Sequence, residues 1–301
     1  PDQPRLLELY KELEFKSLLK DLTPSEELKS EYILVDDLKT FSALVAGLKK
    51  SKEFVFDTET TSEDPVLAKL AGLSFSWEEG VAYYVGVCEN GGEEKKLDIE
   101  LAIKSLKEIF EDKEIKKIGQ NVKYDYIVLA NYGIRVNGII FDTMVASYLL
   151  NPSKPNHNLD DISFEYLNHK MTTSIRELIG KGKSAITMDR VDVEKISDYS
   201  CEDSDVTFRL KKILEKEISK KDLDKLFYNV EMPLIEVLAE MEMTGVSIDK
   251  DYLAGLSKEM EKKIEILTKK IYKLAGEEFN INSPKQLSAI LFEKMKLPVV
   301  R

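Results

Sequence analysis

The chain of 301 residues is moderately apolar, acidic and poor in cysteine. It is 43% hydrophobic and 33% charged, its formal net charge is −11, and it has two cysteines. The length predicts more than one domain, and the low cysteine count argues against a disulfide scaffold or a cysteine-rich zinc site and favours a reducing compartment. No apolar run approaches the roughly 20 residues of a membrane span, and the start lacks the pattern of a secretion signal. The acidic balance alone argues against nucleic acid as a partner.

Strand and helix patterns alternate in the first part of the chain. The predicted elements are a strand at 31–37, an amphipathic helix at 38–50, strands at 53–59, 68–77 and 80–87, a helix near 98–112, a strand at 115–119 and a helix opening at Gln120–Asn121. The three consecutive strands are separated by turn signals, which is typical of an antiparallel meander.

Helical patterns dominate the remainder of the chain. Residues from about 142 to 218 are almost all helical in pattern, and a further helix is stopped by Gly245. A long helix ends at a second glycine, Gly276, and another opens with Pro284 in its first turn. Long helices without strands predict a second, helical unit after about residue 220.

The stretch FVFDTET, residues 54–60, ends a buried-type strand in two carboxylates. Residues two apart in a strand face the same side, so Asp57 and Glu59 are expected to converge. Such convergence is costly unless a cation lies between them. The alternative is a solvated turn, since acidic residues are mostly exposed.

Two later segments add polar groups at helical spacing. Asn121 and Asp125 lie one turn apart, as do Tyr199 and Asp203. Simpler interpretations remain open: Asn121 as a helix cap, Tyr199 as a core aromatic residue, and Asp203 as part of an acidic first turn.

Four carboxylates from distant segments suit a site for divalent metal. Hard cations such as Mg²⁺ take oxygen ligands, and two such ions can stabilise both the attacking and the leaving oxygen of a displacement at phosphorus. The chain has only two histidines and shows neither a nucleophile-elbow nor a P-loop pattern. A phosphoryl-transfer or hydrolysis site is therefore favoured over nucleophilic side-chain chemistry.

Three motifs, FDTET, GQNVKYD and YSCEDSD, resemble those of the DEDDy 3′→5′ exonucleases. The greatest similarity is to the proofreading domain of the bacterial DNA polymerase I family (family A), and it continues in FDTMVASYLLNP and LIGKGK. The segments VEMPLIEVLAEMEMTGVSID and LAGEEFNINSPKQLSAILFEK resemble the start of that family's polymerase thumb. The resemblance extends over about residues 26–301.

The resemblance implies a mixed α/β fold and a domain order. Residues 26–219 are expected to form a ribonuclease-H-like exonuclease domain, with a mixed sheet and flanking helices. Residues 1–25 correspond to a connector. Residues 220–301 correspond to the helical N-terminal part of the thumb, without palm or fingers, so the polymerase active site is absent from this chain.

The resemblance also assigns roles in a centre of two Mg²⁺ or Mn²⁺ ions. Asp57, Glu59 and Asp203 match the ligands of the more tightly held ion. Asp125, together with Asp57, matches the ligands of the second, and Tyr199 matches the residue that orients the attacking water.

Substrate contacts are implied on both sides of this centre. Gln120 and Asn121 match family positions that contact the terminal nucleotides, and Ile175 matches an apolar position against the 3′-terminal base. Lys123 and Arg176 lie near the motifs and could meet phosphates. Together with two bound Mg²⁺ ions, they weaken the argument that the acidic net charge excludes a nucleic-acid partner. One departure is Glu63, where the family often has an apolar wedge.

The function implied is metal-dependent removal of nucleotides from single-stranded or frayed DNA 3′ ends, as in proofreading. The expected partners are DNA and the remainder of a polymerase. A cytoplasmic monomer of bacterial or phage origin, without membrane association, is expected. The alternatives are an exoribonuclease of the RNase D type and a non-catalytic scaffold that holds a primer end.

Overall fold

The computed structural model describes residues 3–13, 15, 18, 28–89 and 94–298. The chain forms two compact units, residues 1–244 and residues 245–301. Each is described by itself.

A mixed sheet lies at the centre of the first unit. Its strands are β1 (Glu31–Leu34), β2 (Glu53–Thr60), β3 (Leu70–Glu78), β4 (Val81–Cys88), β5 (Leu97–Asp98), β6 (Lys116–Gly119) and β7 (Ile139–Asp142). The order is β1-β4-β3-β2-β6-β7, with β5 beside β4. The central pairs β2–β3 and β3–β4 are antiparallel and the pairs toward both edges are parallel.

The first unit also contains helices, several of which pack on this sheet. They are α1 (Gln3–Glu12), α2 (Leu38–Lys50), α3 (Ile99–Glu111), α4 (Val122–Asn131), α5 (Thr143–Leu150), α6 (Leu159–Leu167), α7 (Ile175–Ile179), α8 (Val193–Lys220), α9 (Asp224–Leu226) and α10 (Met232–Thr244). A π-helical turn, Phe227–Glu231, joins the last two. Helix α8 packs across β1–β4 on one face of the sheet.

The side chains of β2 divide between the two faces and so determine where the polar groups lie. Phe54 and Phe56 are fully buried in the main core, where both contact Phe110 edge-on and Phe54 also contacts Phe75 edge-on. Because side chains alternate along a strand, Asp57 and Glu59 point to the other face, where α8 lies. The aromatic core therefore holds the strand that carries both carboxylates.

The second unit is helical. It contains α11 (Lys250–Ala275), which ends at Gly276 with φ +75°, and α12 (Pro284–Ser288), which opens on the Ser283 cap and continues as a π-helical turn, Ala289–Lys294. No described helix of either unit is both long enough and apolar enough to span a membrane.

The predicted mixed α/β architecture is confirmed, including the antiparallel meander of β2, β3 and β4 and the helix at 38–50. The prediction missed β5 and β7, both short strands. Part of the predicted connector, residues 1, 2, 14, 16, 17 and 19–25, lies outside the described residues.

The boundary between the two compact units, after residue 244, lies later in the chain than the predicted start of the thumb segment at residue 220. The reason is that Phe227, Ile235 and Ala239 are buried in the core of the first unit, where Phe227 packs on Phe141 at 4.8 Å between ring centroids. The assignment of 1–25, 26–219 and 220–301 to three family domains stays a prediction.

Candidate active site

Three of the predicted carboxylates lie together at the junction of β2 and α8. Asp57, Glu59 and Asp203 each offer one oxygen, and the three oxygens lie within 4.8 Å of one another. Glu59 is buried, and Asp57 and Asp203 are half-buried. Oxygen donors this close to one another match the ligand chemistry of a hard divalent cation.

Hydrogen bonds fix the helix that carries Asp203 against the strands. The Ser204 and Ser74 hydroxyls are 2.6 Å apart, and Ser74 is paired directly with Asp57 across β2 and β3. Asp205, fully buried, accepts a hydrogen bond of 2.7 Å from the Gly80 amide and one of 2.9 Å from Arg209. Asp203 immediately precedes these two anchored residues on α8, and its carboxylate lies beside those of Asp57 and Glu59.

Burial raises the pKa of every member of the cluster, and the charges of neighbouring carboxylates add to this effect for Glu59 and Asp203. Desolvation raises the pKa of Asp57 from 3.8 to about 7. Desolvation and then the Asp57 charge raise the pKa of Glu59 from 4.5 to about 8, against a smaller opposing effect of Ser200. The pKa of Asp203 is raised by desolvation and then by Asp57 and Glu59. Without a cation, the fold therefore favours the protonated carboxyls.

The protein without metal should be least stable where these carboxyls must ionise. An acid whose pKa is raised on folding contributes stability below its unfolded-state value, and that contribution is lost as the pH rises through the folded-state value. For Asp57 and Glu59 the window runs from about pH 4 to about pH 8. We expect Asp57→Asn to raise the melting temperature in EDTA by roughly 2–8 °C at pH 8, about 1–2 kcal/mol, and by less at pH 5. Melting curves of both proteins at the two pH values test this, and an equal difference at both would contradict it.

Asp125 is buried next to the cluster but is not one of the three grouped carboxylates. Its Oδ1 accepts hydrogen bonds from the Thr58 amide at 3.0 Å and the Thr58 hydroxyl at 2.5 Å. Thr58 alternates with Asp57 and Glu59 along β2, so this contact is made on the opposite face of the strand. Desolvation and then the nearby Asp57 charge raise the pKa of Asp125. Thr58 therefore positions Asp125 behind Asp57.

Tyr199 lies on α8 one turn before Asp203 and lines the same cleft. The Asp203 charge, burial and the charges of Glu59 and Asp57, in that order, raise the pKa of its phenol. The phenol therefore stays neutral at physiological pH. It can donate a hydrogen bond but cannot serve as a base.

A cleft of about 430 Å³ opens above the three carboxylates. Of the residues predicted to contact substrate, Asn121 and Ile175 line it. Asn121 precedes α4 with φ 59° and its side chain makes no capping hydrogen bond, so the simple cap interpretation is wrong. Glu63, the departure from the family pattern, is exposed at the cleft rim.

The other predicted substrate residues do not line this cleft. The Gln120 amide donates to the His157 carbonyl at 2.9 Å and accepts a hydrogen bond from Thr143. Lys123 forms an ion pair with Glu242 of α10. Arg176 is exposed on α7, next to Ile175.

Sequence reasoning missed a buried acidic residue that ties the cleft wall to α8. Glu202 precedes Asp203 and accepts hydrogen bonds from His169 at 2.9 Å, from the Thr172 amide at 2.9 Å and from the Thr172 hydroxyl at 2.7 Å. This fastens the segment that leads into α7 and Ile175. No pattern around the YSCEDSD motif distinguishes this structural carboxylate from the metal-type ones.

Another buried residue that sequence reasoning missed is Asp142. It accepts a hydrogen bond of 2.8 Å from the Val122 amide and also caps α5. It thereby holds the turn that presents Asn121. The signal that could have found it is its position immediately before a helical pattern, where aspartate is a favoured cap.

Two features of the carboxylate cluster itself suit a divalent cation. Glu59 Oε1 is buried and has no hydrogen-bond partner among the described residues. A buried carboxylate oxygen without a partner is costly unless a cation or a donor satisfies it. The donor set consists of oxygen alone, which suits Mg²⁺ or Mn²⁺ rather than a thiolate-binding metal.

Comparisons with known proteins show which family the chain belongs to. A family model described as 3′-5′ exonuclease matches residues 32–219, and one described as DNA polymerase family A matches residues 250–301. DNA polymerase I of Pseudomonas aeruginosa is 37% identical over the whole of this chain and 35% of its own length. DNA polymerase I of Borreliella burgdorferi is 36% identical over 96% of this chain and 31% of its own length. The chain therefore spans about a third of the length of these curated relatives.

Two solved structures share the fold. The POL domain of Pol1 from M. smegmatis, in complex with DNA primer-template and dNTP, has a TM-score of 0.62 at 22% identity and covers 86% of this chain and 40% of that one. Brucella melitensis NrnC has a TM-score of 0.51 at 21% identity and covers 65% of this chain and 87% of that one. With the family match over residues 32–219, the chain belongs to the family of 3′–5′ exonuclease domains found in DNA polymerase I.

Proposed function

We propose that this chain removes nucleotides one at a time from DNA 3′ ends, using Mg²⁺ or Mn²⁺ in a centre of two ions. The observation that carries the proposal is the cluster of Asp57, Glu59 and Asp203, with its buried, unpartnered Glu59 oxygen. Asp57, Glu59 and Asp203 would hold one ion, and Asp125 with Asp57 would hold the other. When bound, the ions offset the charge of the carboxylates and of the scissile phosphate.

The side chains of the site position the attacking water and do not themselves react with the substrate. Tyr199, neutral and next to Asp203, holds the attacking water in line with the phosphorus by a hydrogen bond from its hydroxyl. Glu59 is fixed in the buried floor of the cleft and assists it. No side chain becomes covalently attached to the substrate, because the cluster consists of metal-type carboxylates and a phenol that stays protonated.

The 3′-terminal nucleotides would enter the cleft between α7 and the start of α4. We assign Ile175 to the terminal base, since this apolar side chain is 46% exposed and lines the cleft. Asn121 presents its free amide to the sugar or phosphate. Lys123 and Arg176 would meet phosphates further along the strand, and Gln120 would support the turn that presents Asn121.

Such a domain would work with the rest of a polymerase, its palm and fingers, which would deliver a misincorporated 3′ end. We propose that it does so as a monomer in a bacterial cytoplasm. A DNA partner is compatible with a net charge of −11, because single-strand binding depends on a local groove and on stacking.

The test is degradation of 5′-labelled oligonucleotides of one sequence. The substrates are single-stranded DNA, single-stranded RNA, a matched duplex and a duplex with a mismatched 3′ end, each with Mg²⁺ or with EDTA. We expect a ladder shortening from the 3′ end, fastest on single-stranded DNA and slowest on the matched duplex, because a strand must unpair to enter the cleft and a mismatch lowers that cost. EDTA should stop the reaction.

Each alternative has its own outcome in this assay. Faster degradation of RNA than of DNA would favour the exoribonuclease of the RNase D type. Binding of the 3′ end without any Mg²⁺-dependent shortening would favour the non-catalytic scaffold. Equal rates on matched and mismatched duplexes would contradict the proofreading role.

A further inference from the structure

A buried tyrosine hydroxyl lies behind the carboxylate cluster. Tyr84 on β4 is fully buried, and its hydroxyl has no hydrogen-bond partner among the described residues. Tyrosine hydroxyls usually find a partner when buried, because leaving one unpaired costs about 1–3 kcal/mol. The Glu59 Oε1 atom also lacks a hydrogen-bond partner among the described residues. An unpaired donor and an unpaired acceptor are therefore buried in the same layer between the sheet and α8.

The strand register places these two groups on one face of the sheet. Tyr84 is paired with Ser74 on β3, and Ser74 contacts Ser204 of α8. Glu59 on β2 is paired with Gly72, two residues before Ser74 on the same strand. Since directly paired residues and residues two apart share a face, Tyr84, Gly72 and Glu59 all face α8.

Gly72 leaves the gap through which the tyrosine reaches toward Glu59. A Cβ at position 72 would lie 2.1 Å from the Tyr84 hydroxyl oxygen and 2.4 Å from its Cζ. The hydroxyl therefore occupies the space that a side chain at position 72 would take. Paired residues on adjacent strands have Cβ atoms about 4.5–5.5 Å apart, so this space is next to the Glu59 side chain. The Glu59 charge also follows burial among the causes that raise the pKa of Tyr84, which keeps the phenol a donor.

We propose that Tyr84 is a positioning residue that donates a hydrogen bond to the Glu59 carboxylate when the cluster holds its cation. The proposal rests on the metal dependence of the proposed function. It gives two of the buried unpaired atoms, the Tyr84 hydroxyl and Glu59 Oε1, a partner, while the Ser200 hydroxyl on α8 is a third buried group without one among the described residues. It also explains why residue 72 is glycine in the middle of a strand, where glycine is otherwise unfavourable. Hydrogen-bond partners of this kind orient metal-ligating carboxylates and increase metal affinity.

The test is Tyr84→Phe, which removes the hydroxyl and keeps the ring. The matched control is Tyr83→Phe, on the opposite face of the same strand, where Tyr83 stacks on Trp77 at 4.7 Å between ring centroids. Mn²⁺ affinity is measured by titration calorimetry, and the melting temperature is measured in EDTA. We expect Tyr84→Phe to bind Mn²⁺ about 10-fold more weakly, with a melting temperature in EDTA equal to or higher than that of the parent, because an unpaired polar group is lost. Tyr83→Phe should bind Mn²⁺ like the parent.

Separate outcomes would overturn the inference and the proposed function. Unchanged Mn²⁺ affinity in Tyr84→Phe, whatever the melting temperature, would show that the hydroxyl does not position Glu59. A lower melting temperature in EDTA would show that the hydroxyl has a partner in the metal-free fold. If the parent binds Mn²⁺ but shortens no DNA, the proposed function fails while the comparison of Tyr84→Phe with Tyr83→Phe still decides the inference.

Discussion

Asp57→Asn is expected to reduce the rate of 3′-end shortening by at least about 10³-fold, equivalent to about 4 kcal/mol of activation free energy. Asp57 is the one carboxylate that contributes to both proposed ion sites. Its oxygen lies within 4.8 Å of those of Glu59 and Asp203, and its charge raises the pKa of Asp125. The amide keeps the size of the side chain and removes the charge, so the loss cannot be attributed to a cavity.

The same substitution should not damage the fold. It removes one of several buried like charges, and repulsion among the cluster is relieved. Activity and stability are therefore expected to change in opposite directions, as is common where an active site stores unfavourable charge. A variant that lost both would point to a structural role for Asp57.

Asp198→Asn is the matched control. Asp198 lies on α8 next to Tyr199 but is exposed. Initial rates on one single-stranded substrate, measured at saturating Mg²⁺, should be unchanged in this variant. Substantial activity in purified Asp57→Asn would contradict the assignment of Asp57 to the metal centre.

Local patterns predicted most of what forms the floor of the site. The strand 53–60 alternates between an aromatic core face and a carboxylate face, and this alternation alone brings Asp57 and Glu59 together. The helical spacing of Tyr199 and Asp203 correctly placed both on one face of α8. These inferences succeeded because they depend on backbone period and on strong burial, both of which are local.

What the sequence did not predict depends on contacts between distant segments. The position of Asp125 behind β2 follows from its bonds to Thr58, a residue 67 positions earlier. Glu202 fastens Thr172 across 30 positions. The four-residue strand β7 is too short for its period to be read, and strands of this length cannot be distinguished from helix or loop.

The packing of helix α10 also depends on a distant segment, and this is why the domain boundary could not be predicted from the sequence. Its sequence is apolar on more than one side, and nothing in the pattern states which neighbour covers it. The structure packs Ile235 and Ala239 into the core of the first unit. A helical pattern after residue 220 therefore predicted the element and left its packing partner open.

Tyr199→Phe is expected to slow cleavage by roughly 10- to 100-fold, about 1.4–2.8 kcal/mol. The phenol lines the cleft next to Asp203, and its proposed contribution is a hydrogen bond that aims the attacking water. The proposal does not make the phenol a ligand, and the Mg²⁺ concentration at half-maximal rate should therefore stay within about twofold of the parent's. Asp203→Asn, one turn further along the same helix, removes a proposed ligand and should both slow the reaction more and raise the Mg²⁺ requirement.

The pH dependence of the rate distinguishes a hydrogen-bond donor at position 199 from a base. If the phenol acted as a base, its removal would change the alkaline limb of the rate profile. Because a tyrosine ordinarily has a pKa of about 10, above the working range, Tyr199→Phe should lower the rate by the same factor from pH 6 to pH 9. Rates of the parent, Tyr199→Phe and Asp203→Asn across a Mg²⁺ titration and a pH series check this. If Tyr199→Phe were as inactive as Asp203→Asn, or if its deficit grew with pH, the tyrosine would be doing more than orienting a water.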